Sequence, residues 1–341
     1  METVKDTLGR PLRSLRISVT DRCNFRCGYC MPAELFPPDH AFLPREEVLH
    51  FEEIHRLAGL FARLGVRKFR LTGGEPLLRK GLPDLVQMLK NIPGIEDIAL
   101  TTNGALLREK AEALRRSGLD RLTVSLDSLD PQRFAALSDT TIPLSKVLDG
   151  IEAAREAGFP PVKLNCVLQR GVNEADILPL AAFARERGLL LRFIEYMDVG
   201  SALGWRLDRV VPAAEVRAII GSCWPLHPAA TEGESDVARH WRYADGAGEV
   251  GLIASVTEPF CSGCDRARLS ADGHLYTCLF AAEGLDLKGL LRGDPQGGGM
   301  DDGALLAVLK GRWSRREDRY SEIRSEATTG LPRVPMHRVG G

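Results

Sequence analysis

Between Leu15 and Glu195, short β-rich apolar runs alternate with longer helical stretches, and this rhythm constrains the fold more than any other feature. The strand segments are Leu15–Val19, Lys68–Leu71, Ile98–Thr101, Arg121–Leu126, Val162–Leu168 and Leu190–Glu195. Between them lie helical segments, among them Arg45–Leu64, Leu82–Lys90, Leu107–Arg116, Lys146–Glu156 and Ala175–Arg187. Strand–helix alternation, with the strands buried on both faces, predicts a parallel α/β sheet wrapped by helices. Six units fall short of the eight that close a barrel, so the expectation is an open, partial six-unit βα barrel.

The rhythm changes after about Gly221. Residues Pro228–Gly251 are polar and Gly-rich, suiting linkers and hairpins; Gly293–Gly299 reads as a loop, and a helical pattern resumes over Asp302–Arg319. A boundary is expected near residue 225, giving a barrel domain over 1–225 and an α+β domain over 226–341.

Parallel α/β folds collect their chemistry at the carboxyl ends of the strands. Cys23, Cys27 and Cys30 follow the first strand, and Gly73–Gly74–Glu75–Pro76 the second. Thr101–Gly104 follow the third, Ser125–Asp127 close the fourth, and Glu195–Met197 follow the sixth. One face of the barrel is expected to hold one site.

The 341 residues carry a net charge of −1, which argues against coating nucleic acid or a membrane through the overall field. A bound anion must then be held by a local cluster of positive groups. METVKDTLGRPLRSLR lacks the apolar core of a secretory signal, and no run of about 18 uncharged apolar residues exists to span a bilayer. The expected location is the cytoplasm, where eight cysteines read as metal ligands or catalytic thiols before disulfides.

Cys23, Cys27 and Cys30 are spaced C-x3-C-x2-C. Three thiolates on a four-iron cluster leave one iron open to a substrate, whereas a structural zinc site would need a fourth, distant ligand. Cys261, Cys264 and Cys278 form C-x2-C-x13-C, with His274 between the last two, so a Cys3His zinc ribbon competes with a second cluster. Cys166, within a strand, and Cys223, beside Trp224, read as packing residues.

TDRCNFRCGYC, with Tyr29 inside it, resembles the signature of radical S-adenosylmethionine enzymes, and GGEP resembles their methionine-binding segment. FCSGCDRARLSADGHLYTCLF is similar to the second-cluster region of the GTP 3′,8-cyclase family of molybdenum cofactor synthesis. TTNG, VSLD and RFIEYMDVG extend the likeness over nearly the whole chain. The usual pattern is departed from at Ser138–Pro143 and at the Gly-rich Gly293–Gly299.

The resemblance implies two 4Fe-4S clusters, held by Cys23, Cys27 and Cys30 and by Cys261, Cys264 and Cys278. It places S-adenosylmethionine against Tyr29, Gly74, Ser125 and Met197. It also implies a deoxyadenosyl radical that takes hydrogen from C3′ of GTP, after which C3′ bonds to C8 of guanine. GTP would meet Arg16, Lys68, Arg70, Thr101, Lys163, Arg192, Arg266 and Arg268, a set whose Arg266–Arg268 and Lys68–Arg70 pairs alternate along extended segments. No Walker A sequence is present to bind the phosphates instead.

A synthase acting downstream to make cyclic pyranopterin monophosphate and a flavodoxin-like electron donor are implied partners, and a homodimer is compatible. The tail, LPRVPMHRVGG, shows no helix signal and reads alone as a frayed end. The family ends the same way, which implies that Gly340 and Gly341 thread toward the active site, with Arg333 or Arg338 adding a positive group. The alternatives are a peptide-modifying radical enzyme with an auxiliary cluster, and a zinc-ribbon binding module.

Overall fold

All six strands form within one residue of their expected bounds: β1 Ser14–Ser18, β2 Lys68–Thr72, β3 Asp97–Thr102, β4 Arg121–Ser125, β5 Lys163–Leu168 and β6 Leu190–Glu195. They pair in parallel and in sequence order. The computed structural model describes residues 3–199, 204–229, 237–293, 298–325, 328 and 333–340. The intervening helices are α1 Phe51–Arg63, α2 Leu82–Lys90, α3 Leu107–Arg116, α4 Pro131–Ser138, α5 Leu144–Glu156 and α6 Ile177–Arg187.

The helix expected over 45–64 is interrupted. Arg45–Glu47 makes a single 3-10 turn, and the chain restarts as α1, where Glu53 accepts from the His50 N–H at 2.7 Å. A similar 3-10 turn at Glu174–Asp176 precedes α6. Helix α4 was not anticipated, although Asp130–Pro131 is a start signal. The Asp130 carboxylate accepts from the Arg133 N–H at 2.7 Å, and proline sits where no N–H is needed.

The strands are not apolar on both faces. Leu15, Ile17, Phe69, Leu71, Ile98, Leu100, Leu122, Val124, Leu164 and Leu191 belong to the buried core. The alternate residues, Arg16, Arg70, Thr101, Thr123, Asn165 and Arg192, share the opposite face by strand alternation and register. The period-2 pattern reflects a polar lumen, where a fully packed barrel would show apolar residues at both parities.

Beyond the barrel lie α7 Ala213–Cys223, β7 Leu226–Pro228, β8 Arg239–Tyr243, β9 Glu249–Ile253, β10 Arg266–Leu269, β11 His274–Tyr276, β12 Leu285–Asp286, α8 Leu287–Arg292 and α9 Asp302–Ser314. Strand β9 pairs in parallel with β6, and β10 in parallel with β1. Among the described residues the result is one open sheet of twelve strands, ordered β12-β11-β10-β1-β2-β3-β4-β5-β6-β9-β8-β7. Chain from beyond residue 225 therefore extends both edges of the barrel sheet. Cys223 ends α7 and is exposed, so it does not pack as expected, whereas Cys166 is fully buried. Among the described residues no helix is long and apolar enough to cross a membrane.

Candidate active site

The loop after β1 is fastened to the loop after β2 by backbone pairing. The Gly74 N–H donates to the Thr20 carbonyl at 2.8 Å, and the Glu75 N–H to the Arg22 carbonyl at 2.7 Å. A Cβ at Gly74 would collide with the Arg22 carbonyl, so only glycine permits this approach. Cys23 begins immediately beyond.

Glu75 then ties in the third strand end. Its buried carboxylate accepts from the Leu77 N–H at 2.9 Å, the Thr102 hydroxyl at 2.7 Å and the Asn103 N–H at 2.7 Å. Burial pushes its pKa up to about 7 against those three donors. Asn103 reaches back to Asn24 Oδ1 at 2.8 Å and lies 3.9 Å from Cys23 Sγ. Tyr29 donates to Asp127 Oδ2 at 2.8 Å, and the Val167 N–H donates to the other Asp127 oxygen at 2.8 Å. The first cysteine loop is thus held by the ends of β2, β3, β4 and β5.

Burial raises the thiols of this loop: Cys23 to about 11, with Cys27 and Cys30 also well up. The Cys23 sulfur adds to the rise at both Cys27 and Cys30, as neighbouring negative charges must. A soft cationic centre is what stabilises three adjacent buried thiolates, and the donor set fits an iron–sulfur cluster with one iron open.

Cys261, Cys264 and Cys278 come together where β10 and β11 begin and end. Burial pushes Cys278 up to about 11. Burial acts the same way on Cys264, yet the Arg266 and Arg316 guanidiniums bring its pKa down to about 6. His274 opens β11, with Nδ1 3.4 Å from Asp272 Oδ2. Among the described residues, no three His, Cys, Asp or Glu side chains form a site for a single metal ion. Three cysteine thiolates also suit a four-iron cluster with one iron open.

Between the two loops runs a row of guanidiniums. Register sets Arg268 beside Arg16, and Arg16 beside Arg70. Arg70 Nη1 donates to Thr101 Oγ1 at 3.1 Å and Thr123 Oγ1 at 3.3 Å; Arg192 Nε donates to Asn165 Oδ1 at 3.0 Å. Burial, followed by the charges of Arg268, Arg70, Arg266 and Arg192, drives the Arg16 pKa far below its ordinary value. Arg70 and Arg268 fall to about 10, again chiefly through burial. So many like charges in a low dielectric call for a polyanion.

The structure brings Arg16, Arg70, Thr101, Arg192, Arg266 and Arg268 to this lumen. Lys163 is half-buried at the start of β5, level with Thr123, and Lys68 is exposed at the start of β2, one strand step from Arg70. Ser125 ends β4 on the lumen side, level with Asn165. Met197 is half-buried just past β6.

The tail is not frayed over its described residues. Met336–Val339 forms one helical turn, contrary to expectation, because Pro335 and Gly340 act as its start and stop signals. Val334 N–H donates to the Ala281 carbonyl at 3.1 Å, and the His337 ring meets Phe36 edge-on at 4.8 Å. Arg268 donates to the carbonyls of Val339, at 3.2 Å, and Gly340. Gly340 sits at φ +71°, where a side chain would strike Thr72. Gly341 lies outside the described residues. Arg333 is paired with Asp198 and Arg338 with Asp272.

A family model of the radical SAM superfamily matches residues 17–184, and one for Molybdenum Cofactor Synthesis C matches 189–322. A GTP 3′,8-cyclase from Acidothermus cellulolyticus is 56% identical over 96% of this chain and 91% of its own. The chain belongs to the GTP 3′,8-cyclase family. The relative from Xanthomonas campestris pv. campestris (strain B100) is 52% identical over 99% of this chain and 97% of its own. That from Staphylococcus epidermidis (strain RP62A) is 46% identical over 100% and 99%. Streptococcus suis SuiB bound to S-adenosylmethionine shares the fold, with a TM-score of 0.61 and 16% identity over 93% of this chain and 68% of that one.

Three structural supports were not singled out from sequence. Glu75 lay within a recognised motif, and Asn103 within another, but their partners lie in different loops. Arg316 reaches Cys264 from a run containing Arg315 and Arg319, with nothing local to distinguish it.

Glu75→Gln should cost about 1–3 kcal/mol in urea unfolding, because an amide N–H must face one of three donors. Iron bound at the first cysteine loop after anaerobic reconstitution should fall with it. Unchanged stability and iron would show that Glu75 does not hold the loop.

Proposed function

We propose that this chain is a radical S-adenosylmethionine enzyme that converts GTP to (8S)-3′,8-cyclo-7,8-dihydroguanosine 5′-triphosphate, the first step of molybdenum cofactor synthesis. The observation that carries the reading is the convergence of Arg16, Arg70, Arg192, Arg266 and Arg268 in a lumen flanked by two three-cysteine loops. A triphosphate supplies about four negative charges to such a lumen, whereas a peptide backbone supplies none.

Cys23, Cys27 and Cys30 would hold the first 4Fe-4S cluster, and Cys261, Cys264 and Cys278 the second. When bound, the first cluster and S-adenosylmethionine would supply the 5′-deoxyadenosyl radical that starts the cyclisation. Tyr29, Gly74, Ser125 and Met197 would receive S-adenosylmethionine beside the first loop. Tyr29 is already oriented by Asp127, and Gly74 by Thr20.

Arg16, Lys68, Arg70, Thr101, Lys163, Arg192, Arg266 and Arg268 would orient GTP. The side chains along β1, β2 and β10 are pre-registered, so the ligand need not gather them. Arg268 also grips the tail, and Gly340 closes over Thr72, which supports a role for Gly340 and Gly341 in shielding or triggering the radical step. A reduced flavodoxin-like donor would feed the first cluster in the cytoplasm, and a separate synthase would take the product on to cyclic pyranopterin monophosphate.

Anaerobic incubation with GTP, S-adenosylmethionine and dithionite should yield the cyclised nucleotide. Replacing Cys23, Cys27 and Cys30 by Ala should abolish 5′-deoxyadenosine and leave roughly four irons per chain. Replacing Cys261, Cys264 and Cys278 should leave residual S-adenosylmethionine cleavage without cyclisation. Full iron in either variant would refute the ligand sets.

Arg266→Ala or Arg268→Ala should weaken GTP binding by about 1–3 kcal/mol while S-adenosylmethionine affinity holds. Equal loss of both ligands in calorimetry would instead indicate collapse of the second cysteine region.

Deleting Gly340 and Gly341 should leave iron content and melting temperature nearly unchanged while cutting cyclisation severely. Full turnover by the truncated chain would remove the tail from the reaction.

A further inference from the structure

The second cysteine loop leans on a charged network that none of these roles uses. The side chains of Asp6, Arg10 and Arg316 are at most 2% exposed. Arg10 Nε donates to Asp6 Oδ2 at 2.6 Å, and Arg316 Nη1 lies 3.2 Å from the same oxygen. The other Asp6 oxygen accepts from the N–H groups of Leu8 and Arg10 at 3.0 and 2.9 Å. Arg10 Nη1 donates to the carbonyls of Cys261, at 2.8 Å, and Asp318, at 2.7 Å.

Arg316 completes the arrangement at the sulfur. Its Nη1 donates to the Cys264 carbonyl at 2.7 Å and its Nη2 to Cys264 Sγ at 3.2 Å. The guanidinium lies 4.6 Å over the Trp313 ring, and Trp313 Nε1 donates to the Arg10 carbonyl at 3.2 Å. Asp6 thus faces both buried guanidiniums, Asp318 Oδ2 lies 3.5 Å from Arg316 Nε, and the Nη edge of Arg316 points at Cys264. A buried guanidinium edge that donates to a sulfur favours the thiolate form of that sulfur. Arg266 also approaches this sulfur, at 3.5 Å, but it belongs to the lumen row.

We propose that Arg316, fixed by Asp6, is a positioning residue for the second cluster: it donates to the Cys264 sulfur and sets the reduction potential of the cluster bound there. The inference rests on the ligand set proposed above. Hydrogen bonds to cluster sulfurs draw electron density from iron, favour the reduced state and raise the potential. The fork geometry matters as well, since one arm holds the Cys264 backbone while the other holds its sulfur.

The test is a potentiometric titration of the anaerobically reconstituted full chain, followed by EPR, for wild type, Arg316→Gln and Arg316→Lys. The same titration with Cys23, Cys27 and Cys30 replaced by Ala assigns the second-cluster signal. The expected result is unchanged iron and a more negative second-cluster potential, shifted further in Arg316→Gln than in Arg316→Lys, with the first cluster unmoved. An unmoved potential in an iron-replete variant overturns the proposal. Wild-type protein that binds only roughly four irons overturns the ligand set itself, a distinct failure. Where neither variant keeps its iron, pulsed EPR of wild type and Arg266→Lys, both carrying 15N-arginine, decides. Nitrogen coupling that persists in Arg266→Lys supports the proposal, and its absence refutes it.

Discussion

Like charges held together inside the barrel are the constraint on which the remaining architecture depends. Arg16 feels Arg268, Arg70, Arg266 and Arg192 from within a buried environment, and each additional guanidinium opposes folding. The opposite faces of the same strands supply the counterweight. Leu15, Ile17, Phe69 and Leu71 are almost wholly buried in the helix-covered core, where each contributes on the order of 1.5–3 kcal/mol. A one-residue slip in β1 or β2 would exchange the two sets, so the hydrophobic pattern that stabilises the fold also aims the arginines.

The two cysteine loops are anchored by different physics. The first is held by strand-like backbone pairing through Gly74 and by a single carboxylate, Glu75, that gathers N–H and O–H donors from two strand ends. The second lacks such a frame, being set among short strands, and an ion network takes its place. Asp6 and Arg10 come from the start of the chain and Arg316 from the turn after α9, so both ends of the sequence converge on Cys261 and Cys264. The first loop is tied to the barrel, whereas the second depends on long-range contacts.

Much of this was legible in the sequence because it is local. Alternation placed all six barrel strands, the cysteine spacings placed both loops, and CDRARL put Arg266 and Arg268 on one side of an extended segment. What the sequence hid is non-local or context-dependent. Nothing near Arg266 announces that it will pair with Ser14, yet that pairing joins the second cysteine region to the barrel edge. The alternation predicts strands buried on both faces, but the parity that carries the arginines faces a polar lumen, and that distinction exists only once the sheet curves. Pro335 and Gly340 suggested an irregular tail; packing against Phe36, Ala281 and Thr72 turned the same residues into the limits of a helical turn.

Arg268 joins these threads. Its strand partner is Arg16, two residues before it Arg266 leans on Cys264, and its own guanidinium holds the carbonyls of Val339 and Gly340. Carbonyl oxygens are neutral acceptors, whereas a phosphate adds an opposite charge to the Arg268 guanidinium and can accept from both arms of its fork. An anion entering the lumen therefore competes for Arg268 with an advantage, and it also relieves the repulsion from Arg16 and Arg266 that the tail carbonyls leave in place. On the proposed function, arrival of the triphosphate redistributes the Arg268 donors and so alters the hold on Gly340. The tail and the anion are then linked through one guanidinium, without a separate signalling path, because both answer to the same buried charge.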